Sequence, residues 1–273
     1  MNKKTLLFIS LVALACSANA QSQTWKYDFG ETEATFNPNP GQISTSFLPK
    51  PGLNTSKTLK QVARVRTGSD GTGELNLVKT GANFIKGVGL EIVPAVANSK
   101  FSIYNIEGTA LSSMSFQIKF DGSNIGQFMF ANGNSTDKED LFQGNSNIKE
   151  TNTEIFVGLR WNLTEANEIK FYNRVENKWI GVKGISFLKN TEYNIEVFSN
   201  NSLTEETYKK EGDHILKANT YEVWVNGKKA ITSVGGLTPA AIINAFTIVG
   251  YKPKDTEVKP KLWVDNLTYS DHL

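Results

Sequence analysis

The chain has 273 residues, 29 Lys and Arg against 27 Asp and Glu, 39% apolar residues and a single cysteine. That length and apolar content suffice for one sizeable core, while the near balance of charge excludes modes that rest on a strongly basic surface, such as nucleic-acid or anionic-membrane binding. One cysteine excludes a disulfide framework and a thiolate metal cluster.

Residues 1–20 read as a secretory leader. Lys3 and Lys4 precede an apolar run from Leu6 to Ala15, and Ala18-Asn19-Ala20 supplies the small-x-small pattern before Gln21. Lipid anchoring at Cys16 would favour Leu three residues earlier, where Ala13 stands, so the expected product is the free form, extracellular or periplasmic. Loss of the leader removes Lys3, Lys4 and Cys16 and leaves 27 basic against 27 acidic residues. No later stretch approaches the ~20 apolar residues of a membrane helix. Residues 21–273 are expected to form one domain, since all-β sandwiches of this size fold around a single core.

Trp25 to Phe29 is a strand too short to fold alone, so it should pair into the main sheet. From Asn37-Pro38-Asn39-Pro40-Gly41 to Gly52 the chain is dense in Pro, Gly, Asn and Ser, which predicts a long loop or wrapping arm over 37–52. Strands follow at short spacing over 61–66, 73–78, 89–93, 100–106, 114–120, 127–131, 154–161, 168–173, 179–182, 193–198, 221–225, 246–250 and 262–269. Between them lies the polar stretch 132–153, expected as a mobile rim loop where function can sit. Asn226-Gly227 provides the two residues tolerant of positive φ that a type I′ hairpin needs. Thr238 and Pro239 mark the start of one short helix over 240–245. Many strands, one short helix and no repeat period predict two packed antiparallel sheets.

Side-chain parity separates core from outer face. Ile155, Val157, Leu159 and Trp161 share one face, which puts Trp161 in the core and Phe156 and Arg160 opposite. The same rule turns Gln117 and Lys119, then Lys170, Tyr172 and Arg174, then Asn194, Glu196 and Phe198, then Glu222 and Trp224 outward. If these strands share a concave sheet, Trp224 and Tyr172 are ring platforms and Arg160, Glu196 and Glu222 orient hydroxyls, the mixture that sugar binding uses. The alternative is a solvated face with ion pairs such as Arg160 with Glu196, and with Trp224 under the arm. His214, in a polar loop, and His272, next to the last residue, are expected at the surface, and neither sits in a serine-triad context.

Val223-Trp224-Val225-Asn226-Gly227, the segment at Pro239, Phe246-Thr247-Ile248-Val249-Gly250 and Trp263-Val264-Asp265-Asn266-Leu267, in this order, resemble the concanavalin A-like, laminin G-like jelly rolls. That superfamily includes lectins, carbohydrate-binding modules, glucanases and alginate lyases. Ala63-Arg64-Val65-Arg66-Thr67-Gly68, Lys100-Phe101-Ser102-Ile103-Tyr104 and Gly158-Leu159-Arg160-Trp161 look like segments of secreted proteins from Bacteroidetes-type bacteria. The resemblance spans nearly all of 21–273 and implies an all-β jelly-roll sandwich, a fold that hosts unrelated functions.

The glucanases of that superfamily place Glu, Asp and Glu at alternate positions of one strand. No strand here does, although Glu196 and Glu222 could approach across strands. The Arg-rich strand, Gln-x-His segment and terminal Tyr-Phe-Lys of its alginate lyases are absent, while Tyr172 with Arg160, Lys170 or Arg174 offers a base beside a cation. Several members hold a structural calcium with an Asp of the closing strand and backbone oxygens, and Asp265 matches that position; otherwise Asp265 pairs with a lysine or caps a turn.

The resulting expectation is an exported, non-catalytic protein that binds a polysaccharide or surface glycan. The alternatives are a lyase or glycoside hydrolase on the same fold, and an adhesin or matrix component that meets a cell-surface protein through the sandwich edges and the 132–153 loop.

Overall fold

The structure is a computed structural model that describes residues 23–37, 42–51, 61–79, 82, 84, 87–121, 125–254 and 259–273. The expected leader and positions 38–41 and 52 of the expected arm lie outside the described residues.

In chain order the strands are β1 (Thr24–Tyr27), β2 (Ala34–Phe36), β3 (Ile43–Ser44), β4 (Val62–Arg66), β5 (Glu74–Val78), β6 (Gly89–Val93), β7 (Ser99–Tyr104), β8 (Leu111–Phe120), β9 (Gly126–Gly133) and β10 (Ile155–Leu163). They continue as β11 (Glu168–Val175), β12 (Lys178–Gly181), β13 (Phe187–Leu188), β14 (Glu192–Asn200), β15 (Glu206–Lys209), β16 (Asp213–Leu216), β17 (Thr220–Val225), β18 (Lys228–Val234), β19 (Ala245–Tyr251) and β20 (Leu262–Ser270). Sheet A runs β18-β17-β14-β8-β20-β6-β5-β2, with β1 added beside β20, and sheet B runs β12-β11-β10-β9-β19-β7-β4-β3, with β13 added beside β11. The expected all-β sandwich of two antiparallel sheets is what forms. Its two last strands are inserted centrally, β20 between β6 and β8 and β19 between β7 and β9, so both sheets close only when the end of the chain arrives.

Alternation builds the core. In β8 Ser112, Met114, Phe116, Ile118 and Phe120 are buried and the intervening residues are not, and β14 repeats the pattern with Tyr193, Ile195, Val197 and Ser199. Trp161 of β10 lies in the core, 1% exposed, stacked on Phe171 at 5.4 Å and flanked by Phe120 and Phe187. Burying such rings supplies most of the driving force of a chain with no cross-link. β1 pairs with β20, as its shortness demanded.

The arm closes one side of the sandwich. β2 pairs with β5 at the edge of sheet A and β3 with β4 at the edge of sheet B, while Leu48 enters the core and Pro49 accepts a 2.7 Å hydrogen bond from the Tyr27 hydroxyl. Among the described residues, the apolar side chains clustered with Trp224 are Tyr208, Leu216, Phe198 and Leu273, none of them in the arm.

Two local expectations fare differently. Asn226 and Gly227 have φ of 47° and 77° and join β17 to β18, the predicted tight hairpin. The predicted helix at Pro239 does not form: Ala241 N–H bonds Thr238 O at 3.1 Å around an Ala240 with φ 66°, a turn with proline at its second position. Asn201, whose Nδ2 donates to Thr238 O and Ala241 O at 2.9 and 2.8 Å, takes the carbonyls that a helix would have used.

Candidate functional site

The sequence-predicted groove divides between the two outer faces. Glu196, Glu222 and Trp224 lie on β14 and β17 of sheet A, whereas Arg160 and Tyr172 lie on β10 and β11 of sheet B. The single concave groove, and the Arg160–Glu196 pair, are corrected by this placement.

On sheet A the hairpin β15–β16 lies over Trp224 and leaves it 6% exposed, in a cluster with Tyr208 and Leu216. Tyr208 stacks on Phe198 at 4.1 Å, donates its hydroxyl proton to Glu222 and accepts the Trp224 indole N–H at 2.9 Å. Burial and that carboxylate push the Tyr208 pKa well above the ordinary phenol value. Glu222 also receives Lys229 and Thr232 at 3.0 and 3.2 Å, and Glu196 pairs with Lys210 at 2.6 Å. Trp224 is therefore no sugar platform; both oxygens of Glu222 are engaged, and Glu196 is held through one oxygen by Lys210. His214 is not in a loop but on β16, where its ring stacks on Tyr208 at 5.1 Å and meets the edge of Trp224 at 5.0 Å. His272 is half-exposed beside Asp271, as expected.

Sheet B presents the more open arrangement. Arg160 and Tyr172 are direct cross-strand partners, and the β11–β12 turn at Glu176 and Asn177 sets Trp179 opposite Arg174 on the same outer face. Trp179 lies across the strands over Gly158, where an added Cβ would come within 3.3 Å of its ring and 3.0 Å of the Arg174 Cβ. The absence of a side chain at Gly158 lets the indole lie down on the sheet. Arg160 then has its guanidinium 4.4 Å from the Tyr172 ring and 4.8 Å from the Trp179 ring. All three side chains are half-buried, and none of the ion pairs among the described residues involves Arg160. Its Nε is buried without a hydrogen-bond partner, and burial lowers its pKa from the usual guanidinium range. Asn162 and Gln127, bonded to each other at 2.8 Å, and exposed Lys170 extend the same face.

Arg174, expected alongside Arg160, is buried and committed: its guanidinium donates to the carbonyls of Glu150, Asn152 and Ile155 and to Asn177 Oδ1. It pins one end of the 134–154 segment. That segment crosses sheet B as a strap, with Leu141, Phe142 and Ile148 packed on Tyr104, Met129, Ala131 and Val249, and Trp179 against the same cluster. Residues 132–153 thus carry a small core of their own.

Asp265 is 3% exposed at a bulge in β20, and with Asp28 it lines a depression of about 200 Å³. Among the described residues no three His, Cys, Asp or Glu side chains converge, so a calcium at Asp265 would depend on backbone oxygens.

No protein-family model matches the chain, and no curated protein does. Among solved structures it is similar to a sialidase, with 11% identity over 75% of this chain and 16% of that one and a TM-score of 0.48. Alginate lyase Aly36B gives 13% identity over 90% of this chain and 96% of the lyase, with a TM-score of 0.46. The binding domain of Botulinum neurotoxin DC gives 13% identity over 79% and 44%, with a TM-score of 0.42. The chain thus spans about a sixth of the sialidase and nearly all of the lyase. Likenesses of this degree carry no inference about activity. No helix among the described residues is long and apolar enough to cross a membrane.

Proposed function

We propose that this chain is an exported, non-catalytic polysaccharide-binding protein whose contact surface is the outer face of β10, β11 and β12. The observation that carries the reading is Trp179 lying on the sheet beside Tyr172, with Arg160 4.4 and 4.8 Å from their rings and in none of the ion pairs among the described residues. Sugar C–H faces stack on such rings, and the guanidinium edge with Gln127, Asn162 and Lys170 supplies donors and acceptors for ring hydroxyls.

Retention of the full chain on immobilised neutral and acidic polysaccharides, scored beside a product assay, tests this. Trp179→Ala is expected to lose retention while wild type releases no unsaturated or reducing ends. Retention untouched by Trp179→Ala would overturn the surface, and products would convert it to an active site. One contact favours that second reading: the Arg160 guanidinium lies 4.4 Å from the Tyr172 ring, a neutralising cation beside a candidate base, the pair that a lyase requires.

A further inference from the structure

On the same outer face as the ring platform, separated from it by β9 and β19 and lying under the strap, sheet B carries a row of three buried cations. Arg66 and Lys100 are direct partners across β4 and β7, and Arg64 follows on the same face. Lys100 is fully buried, and its ammonium donates to Leu141 O and Ser146 O, both at 2.8 Å, and to Gly144 O at 3.4 Å. Arg64 donates to Gly144 O at 3.1 Å and Asn145 Oδ1 at 2.6 Å. Arg66 reaches the strap through Asn98, which donates to Asn147 Oδ1 at 2.5 Å.

None of the ion pairs among the described residues involves these cations. The nearest acids are engaged within the strap. Asp140 accepts the N–H groups of Thr136, Phe142 and Gln143, and Glu154 accepts that of Leu141. Arg66 is 9% exposed, yet its Nε is a buried donor with no partner, so the strap leaves the row incompletely satisfied. A purely structural strap would be held better by neutral donors or by carboxylates, because neutral oxygens only partly offset the desolvation of three like charges. The strap instead lays a chain of oxygens along the row, as an oxygen-rich linear polymer would.

We propose that Arg64, Arg66 and Lys100 form a latent extension of the polysaccharide face for a carboxylate-bearing glycan, with residues 141–147 occupying it as an internal ligand. The choice of a glycan rests on the platform reading above. The carboxylates would replace neutral carbonyls on the arginines and supply the acceptor that Arg66 lacks.

The test measures binding of the full chain to polygalacturonate and to a neutral glucan, with hydrogen exchange at 141–148 as the readout of strap opening. Asn145→Ala with Asn147→Ala removes strap contacts at exposed positions without touching the core, and Leu141→Ser loosens the strap further. Each is expected to speed exchange and to tighten polygalacturonate binding about tenfold, because the competent state no longer has to displace the strap. Adding Arg64→Gln and Arg66→Gln should cancel that gain and leave the neutral glucan unaffected. Faster exchange without tighter binding, or a gain that survives loss of both arginines, overturns the proposal. Unchanged exchange in both loosened variants also overturns it, since the strap would then be permanent structure. Neutral-glucan binding that ignores Trp179→Ala would instead sink the platform, so the two failures are separable.

Discussion

The outer faces of sheets A and B both hold charged and aromatic side chains under a covering segment, and they settle their charge differently. On sheet A, Glu196 and Glu222 meet lysines at 2.6 and 3.0 Å, the Tyr208 and Thr232 hydroxyls also donate to the two oxygens of Glu222, and the β15–β16 hairpin seals Trp224. On sheet B, Lys100 and Arg64 meet neutral oxygens and Arg160 meets two rings. A charge closed by an opposite charge with its hydrogen bonds filled has little to gain from a ligand. One closed by carbonyls or ring faces still gains from an anion or a sugar. By this measure the outer face of sheet B has more to gain from a ligand than that of sheet A.

The largest effect that could break this contrast is Trp224→Ala. Removing a buried indole that anchors the hairpin should cost about 3–4 kcal/mol in urea unfolding, while glycan retention per folded molecule stays at the wild-type level. A small stability loss with retention abolished would exchange the roles of the two faces.

Next comes the pH dependence of stability. Burial, then Arg64 and Arg66 beside it, lowers the Lys100 ammonium to about 7. The unfolded chain keeps that proton to about 10.4, so between these values it binds more protons and stability rises with pH, by about 2 kcal/mol after allowance for the strap carbonyls that favour the charged form. The charges of Asp140 and Glu154 oppose the shift of Lys100 without cancelling it. Above about pH 10 the trend should reverse. Burial raises the pKa values of Tyr27 and Tyr269 well above the phenol range and that of Tyr251 to about 12, so the unfolded chain ionises first and this stabilisation is lost. Lys100→Met should flatten the melting-temperature rise between pH 7 and 10 and keep the fall above it. A variant profile that still rises would show that the row does not carry the charge cost argued for sheet B.

The contrast was only half legible in the sequence. Alternation in β8, β14, β17 and β20 marked the sandwich and which side chains leave its core, and it put Arg160 and Tyr172 on one outer face correctly. The bulge between Ile155 and Val157 reverses it locally, sending Phe156 into the main core and Ile155 under the strap. Parity is blind to which sheet a strand joins, and so Glu196, Glu222 and Trp224 were grouped with residues on the far side of the core. The hairpin that seals Trp224 was hidden because only Tyr208, Ile215 and Leu216 are apolar between 204 and 217. Trp179 was within reach: reading Glu176-Asn177 as a two-residue turn sets Trp179 opposite Arg174 and on the face of Tyr172. The absent helix was not within reach, because Thr238-Pro239 starts a turn as readily as a helix and Asn201, which decides the matter, is distant in sequence. Asn201→Ala should accordingly cost about 1–2 kcal/mol in thermal or urea unfolding, by taking the side-chain donor from Ala241 O and leaving Thr238 O only the Ala241 N–H, and leave binding to both polysaccharides unchanged.

The smallest effect on stability is the sharpest on function. At Gly158 a methyl group would press on the Arg174 Cβ at 3.0 Å and on the Trp179 ring at 3.3 Å, so either must give by a few tenths of an ångström. Arg174 is fixed by its carbonyl acceptors on the strap, whereas Trp179 is half-exposed on the short edge strand β12 and can tilt. Gly158→Ala should therefore change stability by under about 1 kcal/mol, since the added methyl displaces one ring rather than repacking the core. Lifting the indole off the sheet also withdraws it from Arg160 and breaks the arrangement of two rings about one guanidinium that it shares with Tyr172. Polysaccharide retention should fall several-fold, approaching Trp179→Ala, in a protein whose unfolding midpoint is nearly that of wild type. If retention is unchanged, a flat Trp179 is not what the glycan meets, and the open charge on sheet B would then belong to the strap alone.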